Sequence, residues 1–185
     1  MPGHLIAVIG ELGADAIDSA VLSTCSSTLI VSGMQKQHAI ADYVCTNSTE
    51  DLDVLMKERS DKTTVVAPRN LYAKYVWQKG IECVPDFEDL LDYEWNPNTC
   101  SQQLMGLALA CWIGSPVIAV FDYLLDPNKE TPAFKALLTL YPGTRFLYVR
   151  SAKGNKIKLF DKMKNFSHMD QKEFLNFYKK YAESK

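Results

Sequence analysis

The stretch NTCSQQLMGLALACWIGSPVIAVFDY (residues 98–123) constrains the fold of this chain more than any other. It passes from a polar cap into an apolar helix with one small face, turns at Gly114-Ser115-Pro116, and enters a β-branched strand. A helix followed by a continuously apolar strand is the signature of a parallel sheet buried on both faces. Residues 104–121 hold eighteen positions without a charge, the length of a membrane span. The residue before a proline is biased away from helix, however, so the corner divides the stretch into a helix and a strand. The expectation is therefore a buried βα core with no membrane partner.

Other apolar runs repeat the pattern. HLIAVIG (residues 4–10), TLIVSG (28–33) and TTVVAP (63–68) read as buried strands, IECVPD (81–86) as a short one, and RFLYV (145–149) as the last core strand. Helical faces fall between them. Ser48 with Asp51 marks one N-terminus, Arg69-Asn70 open a second helix with Tyr72, Tyr75 and Val76 as its face, and Asn98 or Thr99 cap the central helix. Thr131-Pro132 supplies an N-cap and an N1 proline, and Asp170 with Glu173 forms a capping box for a last helix. The fold class expected is α/β: one doubly wound, mostly parallel, Rossmann-like sheet with helices on both faces and a C-terminal helix. The whole chain, 1–185, reads as one domain with a core over 4–150 and a C-terminal extension over 151–185.

Composition bounds the function. A net charge of −2 gives no electrostatic reason to bind nucleic acid or an anionic membrane. The five cysteines are odd in number and have no Cys-x-x-Cys spacing, and MPGHLIAVIG lacks the basic region of a secretory signal. Both observations favour free thiols in a reducing, cytoplasmic compartment. His4, His38 and His168 share no metal-ligand spacing, and no Gly-x-Gly-x-x-Gly or P-loop is present, so neither a metal nor a cofactor is expected.

Open α/β sheets bind ligands beyond the carboxyl ends of their strands. Gly10, leaving the first strand, and Ser32 and Gly33, leaving the second, offer a hydroxyl and close backbone amides. Arg69 and Asn70 follow the third strand, where a guanidinium fork suits a phosphate or carboxylate. Asn98, Thr99, Ser101 and Gln102 crowd the start of the central helix, whose amides favour an anion or a sugar hydroxyl. Asp122 and Tyr123 end its strand, and Asp86 heads an acidic run, so Asp86 and Asp122 are the candidate catalytic carboxylates.

Gly10, Val31-Ser32-Gly33, Arg69-Asn70, Asn98-Thr99, Gly106-x-Ala108 and Gly114-Ser115-Pro116-Val117-Ile118 together resemble the SLOG superfamily, which includes LOG-type nucleotide phosphoribohydrolases and DprA-like domains. The Gly106 to Ile118 stretch also resembles the related nucleoside 2-deoxyribosyltransferases. The resemblance covers roughly residues 4–122 and implies a Rossmann-like fold with a small-molecule, nucleotide-like ligand. Three departures accompany it. Gly33-Met34 stands for a glycine pair, the Pro-Gly-Gly-x-Gly-Thr phosphate stretch is absent, and Gln102, Gln103 and Leu104 stand where the family carries a catalytic glutamate. Glutamine can hold a ribose hydroxyl but is neither a nucleophile nor a base. The expectation is therefore nucleotide or nucleoside binding without catalysis. The alternatives are an N-glycosidic-bond hydrolase or deoxyribosyltransferase, and a protein-interaction module on the same scaffold. A homo-oligomer is left open.

Overall fold

A computed structural model describes residues 5–10, 28–33, 40–84, 101–121, 130–150 and 160–183. In chain order the strands are β1 (Leu5–Ile9), β2 (Thr28–Ser32), β3 (Tyr43–Cys45), β4 (Thr64–Ala67), β5 (Ile81–Cys83), β6 (Val117–Phe121), β7 (Arg145–Arg150) and β8 (Phe166–Asp170). The helices are α1 (Thr49–Glu58), α2 (Arg69–Tyr72), α3 (Gln102–Ile113), α4 (Thr131–Leu140) and α5 (Gln171–Glu183). All eight strands pair in parallel in the order β5-β4-β3-β2-β1-β6-β7-β8. The α/β fold expected from the sequence is what forms, a doubly wound parallel sheet with a C-terminal helix.

Alternation along each strand sorts the core into two layers. Ile6, Val8, Ile30, Cys45, Val66, Ile118, Val120, Phe146 and Tyr148 face α3 and α4. Leu5, Ala7, Ile9, Leu29, Val31, Val44, Val65, Val117, Ala119, Phe121, Leu147 and Val149 face α1, α2 and α5. Both sides of every central strand are apolar because both sides are covered.

The central helix is buried nearly all round, as its lack of a polar face requires. It lies over β1, β2 and β3, and ends at Gly114, whose φ of 80° is the left-handed C-cap conformation. On the same layer Phe134 of α4 meets Phe146, Phe160 and Phe166 edge to face, with ring centroids 6.5, 5.0 and 6.0 Å away. On the opposite layer Phe174 of α5 meets Phe121 edge to face at 5.2 Å.

Several local expectations meet a different outcome. RFLYV is the last core strand as read, but Phe166–Asp170 adds an unforeseen edge strand, β8, alongside it. The second helix ends at Tyr72, and its buried residue is Leu71, while Val76 is 52% exposed in the turns that follow. The cap of α3 is Ser101, whose Oγ accepts from the Leu104 amide at 3.2 Å, rather than Asn98 or Thr99. Thr131 is already helical, with Glu130 as the N-cap residue of α4. The other caps are as read. Ser48 Oγ accepts from the Asp51 amide, and Asp170 and Glu173 exchange two 2.8 Å bonds at the start of α5. No helix among the described residues is long and apolar enough to cross a membrane.

Gly106 sets the depth of α3. A Cβ there would lie 3.3 Å from Val8 Cγ1, Ile30 Cγ2 and Ser32 Oγ. Gly106→Ala sets a helix-propensity gain of about 1 kcal/mol against that crowding, so its net effect on urea unfolding should stay within about 1 kcal/mol. Gly106→Val adds two methyls against Val8 and Ile30, and should lower the urea-unfolding free energy by about 1–3 kcal/mol.

Candidate functional site

The strand order reverses between β1 and β6. β1 leads outward through β2 to β5, and β6 leads the other way to β7 and β8. Ligands of open α/β sheets sit outside the carboxyl ends of strands at such a reversal. Here the two strand ends are tied together, because the Gly10 amide donates to the Phe121 carbonyl at 3.2 Å. Gly10 is buried and its amide is committed to the sheet.

Ser32, Cys45 and Val66 are register partners across β2, β3 and β4, so the segments leaving these strands share one edge. Gly33 leaves β2 with a φ of 71°, a backbone conformation that L side chains rarely adopt. Its amide donates to the Cys45 carbonyl at 2.8 Å, so it too is committed within the sheet. A Cβ on Gly33 would collide with Gln102 Oε1. The Gln102 side chain thus lies directly over Gly33, and its Nε2 reaches on to donate to Asn47 Oδ1 at 3.1 Å. Three elements meet at this point: the exit of β2, the exit of β3 and the start of α3.

Beneath them Ser32 Oγ is fully buried on the α3 side of the sheet, with no hydrogen-bond partner among the described residues. A buried hydroxyl left unpaired costs about 1–3 kcal/mol, which makes it a notable feature of this edge. Thr46, fully buried, turns the chain after β3. Its amide donates to the Val66 carbonyl at 3.0 Å, and its Oγ1 accepts from the Ser48 amide at 3.1 Å.

The start of α3 is held from the far side of the reversal. The amide of Ser101 donates to Glu130 Oε1 at 3.2 Å, and Glu130 is only 6% exposed. Ser101 Oγ meanwhile caps Leu104. The α3 amides that the sequence offered to a ligand are thus partly used by the chain itself.

Of the residues singled out in the sequence, the structure brings Ser32, Gly33, Ser101 and Gln102 together. Arg69 and Asn70 are exposed at the same edge, just past β4 and two strands from Ser32. Asp86, Asn98, Thr99, Asp122 and Tyr123 lie outside the described residues, both candidate catalytic carboxylates among them. Sequence reasoning missed Thr46, Asn47 and Glu130. The polar run Thr46-Asn47-Ser48 after a strand was a readable signal. Glu130 had none, because 29 residues separate it from its partner Ser101.

Among the described residues no three His, Cys, Asp or Glu side chains group to hold a metal ion. Burial pushes the Cys111 thiol well above its usual range, so it stays protonated and inert in the core of α3. The described residues at the edge offer carboxamides, hydroxyls, one carboxylate and the exposed Arg69 guanidinium, groups suited to hydrogen bonding with a polar small molecule. No protein family, characterised protein or solved structure matches this chain.

Two stability measurements probe this geometry. Gly33→Ala should lose at least about 1–2 kcal/mol from its left-handed backbone alone, and Gln102→Ala in the same chain should recover the part due to collision. Ser32→Ala removes an unpaired buried hydroxyl, so urea unfolding should show no loss, or a gain of about 1 kcal/mol.

Proposed function

We propose that this protein binds a nucleotide or nucleoside derivative at the carboxyl edge of its sheet, between the exits of β2 and β3 and the start of α3, without cleaving it. The observation that carries this reading is the Gln102 bridge. A helix-borne carboxamide spans from Gly33 to Asn47 over an unpaired buried hydroxyl, beside the point where the strand order reverses. The resemblance to the SLOG and deoxyribosyltransferase groups supports the same ligand class. Gln102 and Gln103, standing where those groups carry a glutamate, support binding in place of catalysis. Gln102 and Asn47 would fix the hydroxyls of a sugar, and Arg69 at the same edge would meet the outer part of the ligand.

A melting-temperature screen of nucleobases, nucleosides and nucleotides tests the reading. A ligand held at a hundred times its Kd adds about 2.7 kcal/mol, equivalent to a rise of several degrees for a chain of this size. Gln102→Ala and Asn47→Ala should each cut that rise while leaving the unliganded melting temperature within a few degrees. Release of free base from a bound nucleoside would move the reading to a glycosidic-bond enzyme, with Asp86→Asn and Asp122→Asn identifying its carboxylate. No shift with any ligand of the panel would remove it.

A further inference from the structure

We propose that the far end of the α3–α4 layer is a docking face for a second copy of this chain, the two copies related by a two-fold axis with Trp112 of each seated on the glycines of the other. Crossover helices run against the strands of a parallel sheet, so α3 and α4 begin at the carboxyl edge and finish at the amino edge. There residues 112–116 and 140–144 lie side by side. Thr144 Oγ1 donates to the Ser115 carbonyl at 3.0 Å, and the Arg145 amide donates to the Pro116 carbonyl at 2.8 Å. Tyr141 packs against the cluster that holds Cys111, so the two helix ends adjoin as well. None of the residues in these two segments carries a charge. Arg145, next in the chain, turns its guanidinium to the other layer, 5.0 Å from the centre of the Phe177 ring.

Large apolar side chains stand open on this face. Trp112 is 61% exposed, Leu140 40% and Ile113 36%. Apolar residues exposed singly are ordinary, whereas several gathered on adjoining uncharged segments mark an interaction surface. Two features select a second copy as the occupant. A two-fold axis sets a surface against itself, so a charge on it would meet its own like; these segments bring none to the contact. The face is also self-complementary in shape. Beside the Trp112 ring the chain is reduced to backbone at Gly114 and Gly143, where a Cβ would meet nothing within 4 Å. One surface thus carries both a bulky ring and open ground to receive such a ring, and tryptophan is among the commonest anchors of interfaces.

Area sets the strength of the contact. At 61% exposure Trp112 offers roughly 150 Å², and with Leu140 and Ile113 about 300 Å². A standard stable interface takes about 800 Å² from each partner, so this face belongs to the small, reversible class, with a Kd of about 10–100 µM. The carboxyl edge stays open in such a dimer, which makes self-association independent of ligand binding.

Sedimentation velocity of the full chain between about 5 and 500 µM is the test. The weight-average mass should climb from that of one chain toward that of two and stop there, as a closed two-fold assembly requires. Trp112→Glu sets two like charges face to face and should raise the Kd at least about tenfold. Gly143→Gln covers the receiving ground and should raise it about fivefold or more. Trp77→Glu alters another exposed tryptophan, near the β5 edge, and should leave the Kd within about twofold. If Trp112→Glu does not fold, Gly143→Gln and the wild-type concentration series decide. A mass that stays at one chain throughout overturns the inference, and so does one that grows past two. An unchanged Kd in Trp112→Glu, or an equal loss in Trp77→Glu, overturns it too. So does a monomeric chain that binds phosphatidylcholine vesicles through Trp112, which would give the face to a lipid surface.

Discussion

How closely α3 can approach β1 and β2 governs the geometry of the carboxyl edge. The helix has no polar face, so it must be buried, and Gly106 lets it settle against Val8, Ile30 and Ser32 with no side chain between. One turn earlier, that depth brings Gln102 down over Gly33, where there is room for its carboxamide only because Gly33 has no Cβ. Two glycines on different elements therefore act together. One fixes the height of the helix, and the other accepts what that height imposes. The hydroxyl of Ser32 is left between them, roofed by the helix that covers its strand.

Lateral position comes from elsewhere. The bond from Ser101 to Glu130 joins the segment before α3 to the segment before α4, across the reversal of strand order. Both helices sit on the same layer, one over β1 to β3 and the other among the aromatic rings of β7 and β8. A buried carboxylate accepting a backbone amide is directional, so it fixes where α3 begins as well as holding it in place.

The strands and the layering were legible because burial on both faces leaves a coarse mark. LIAVI, TLIVS, TVVA, VIAVF and RFLYVR each hold an unbroken apolar stretch of three to five residues, the mark of strands covered on both faces. β8 escaped notice for the opposite reason. FSHMD is an edge strand with Ser167 and His168 half-buried and Asp170 exposed, so it lacks that mark. Val76 was misread because helical spacing was extended past Tyr72, where the chain had already turned. At the candidate site, Ser32, Gly33, Ser101 and Gln102 could be found because they sit at strand and helix ends. Glu130 could not, because its partner is fixed by packing between two helices and by nothing local to its own sequence.

The pair at the reversal of strand order, β1 and β6, is also the most remote in the chain. Ile9 lies beside Phe121, 112 residues further on, while β1 and β2 belong to the opening thirty-odd positions. During synthesis β1 must therefore wait, one flank bare, until β6 has followed it from the ribosome. Pairing over such a span carries a large loop-closure entropy, which makes assembly of the middle of the sheet a late and slow event. LIAVI exposed along one side for that interval is the stretch a nascent chain most needs to keep from other chains.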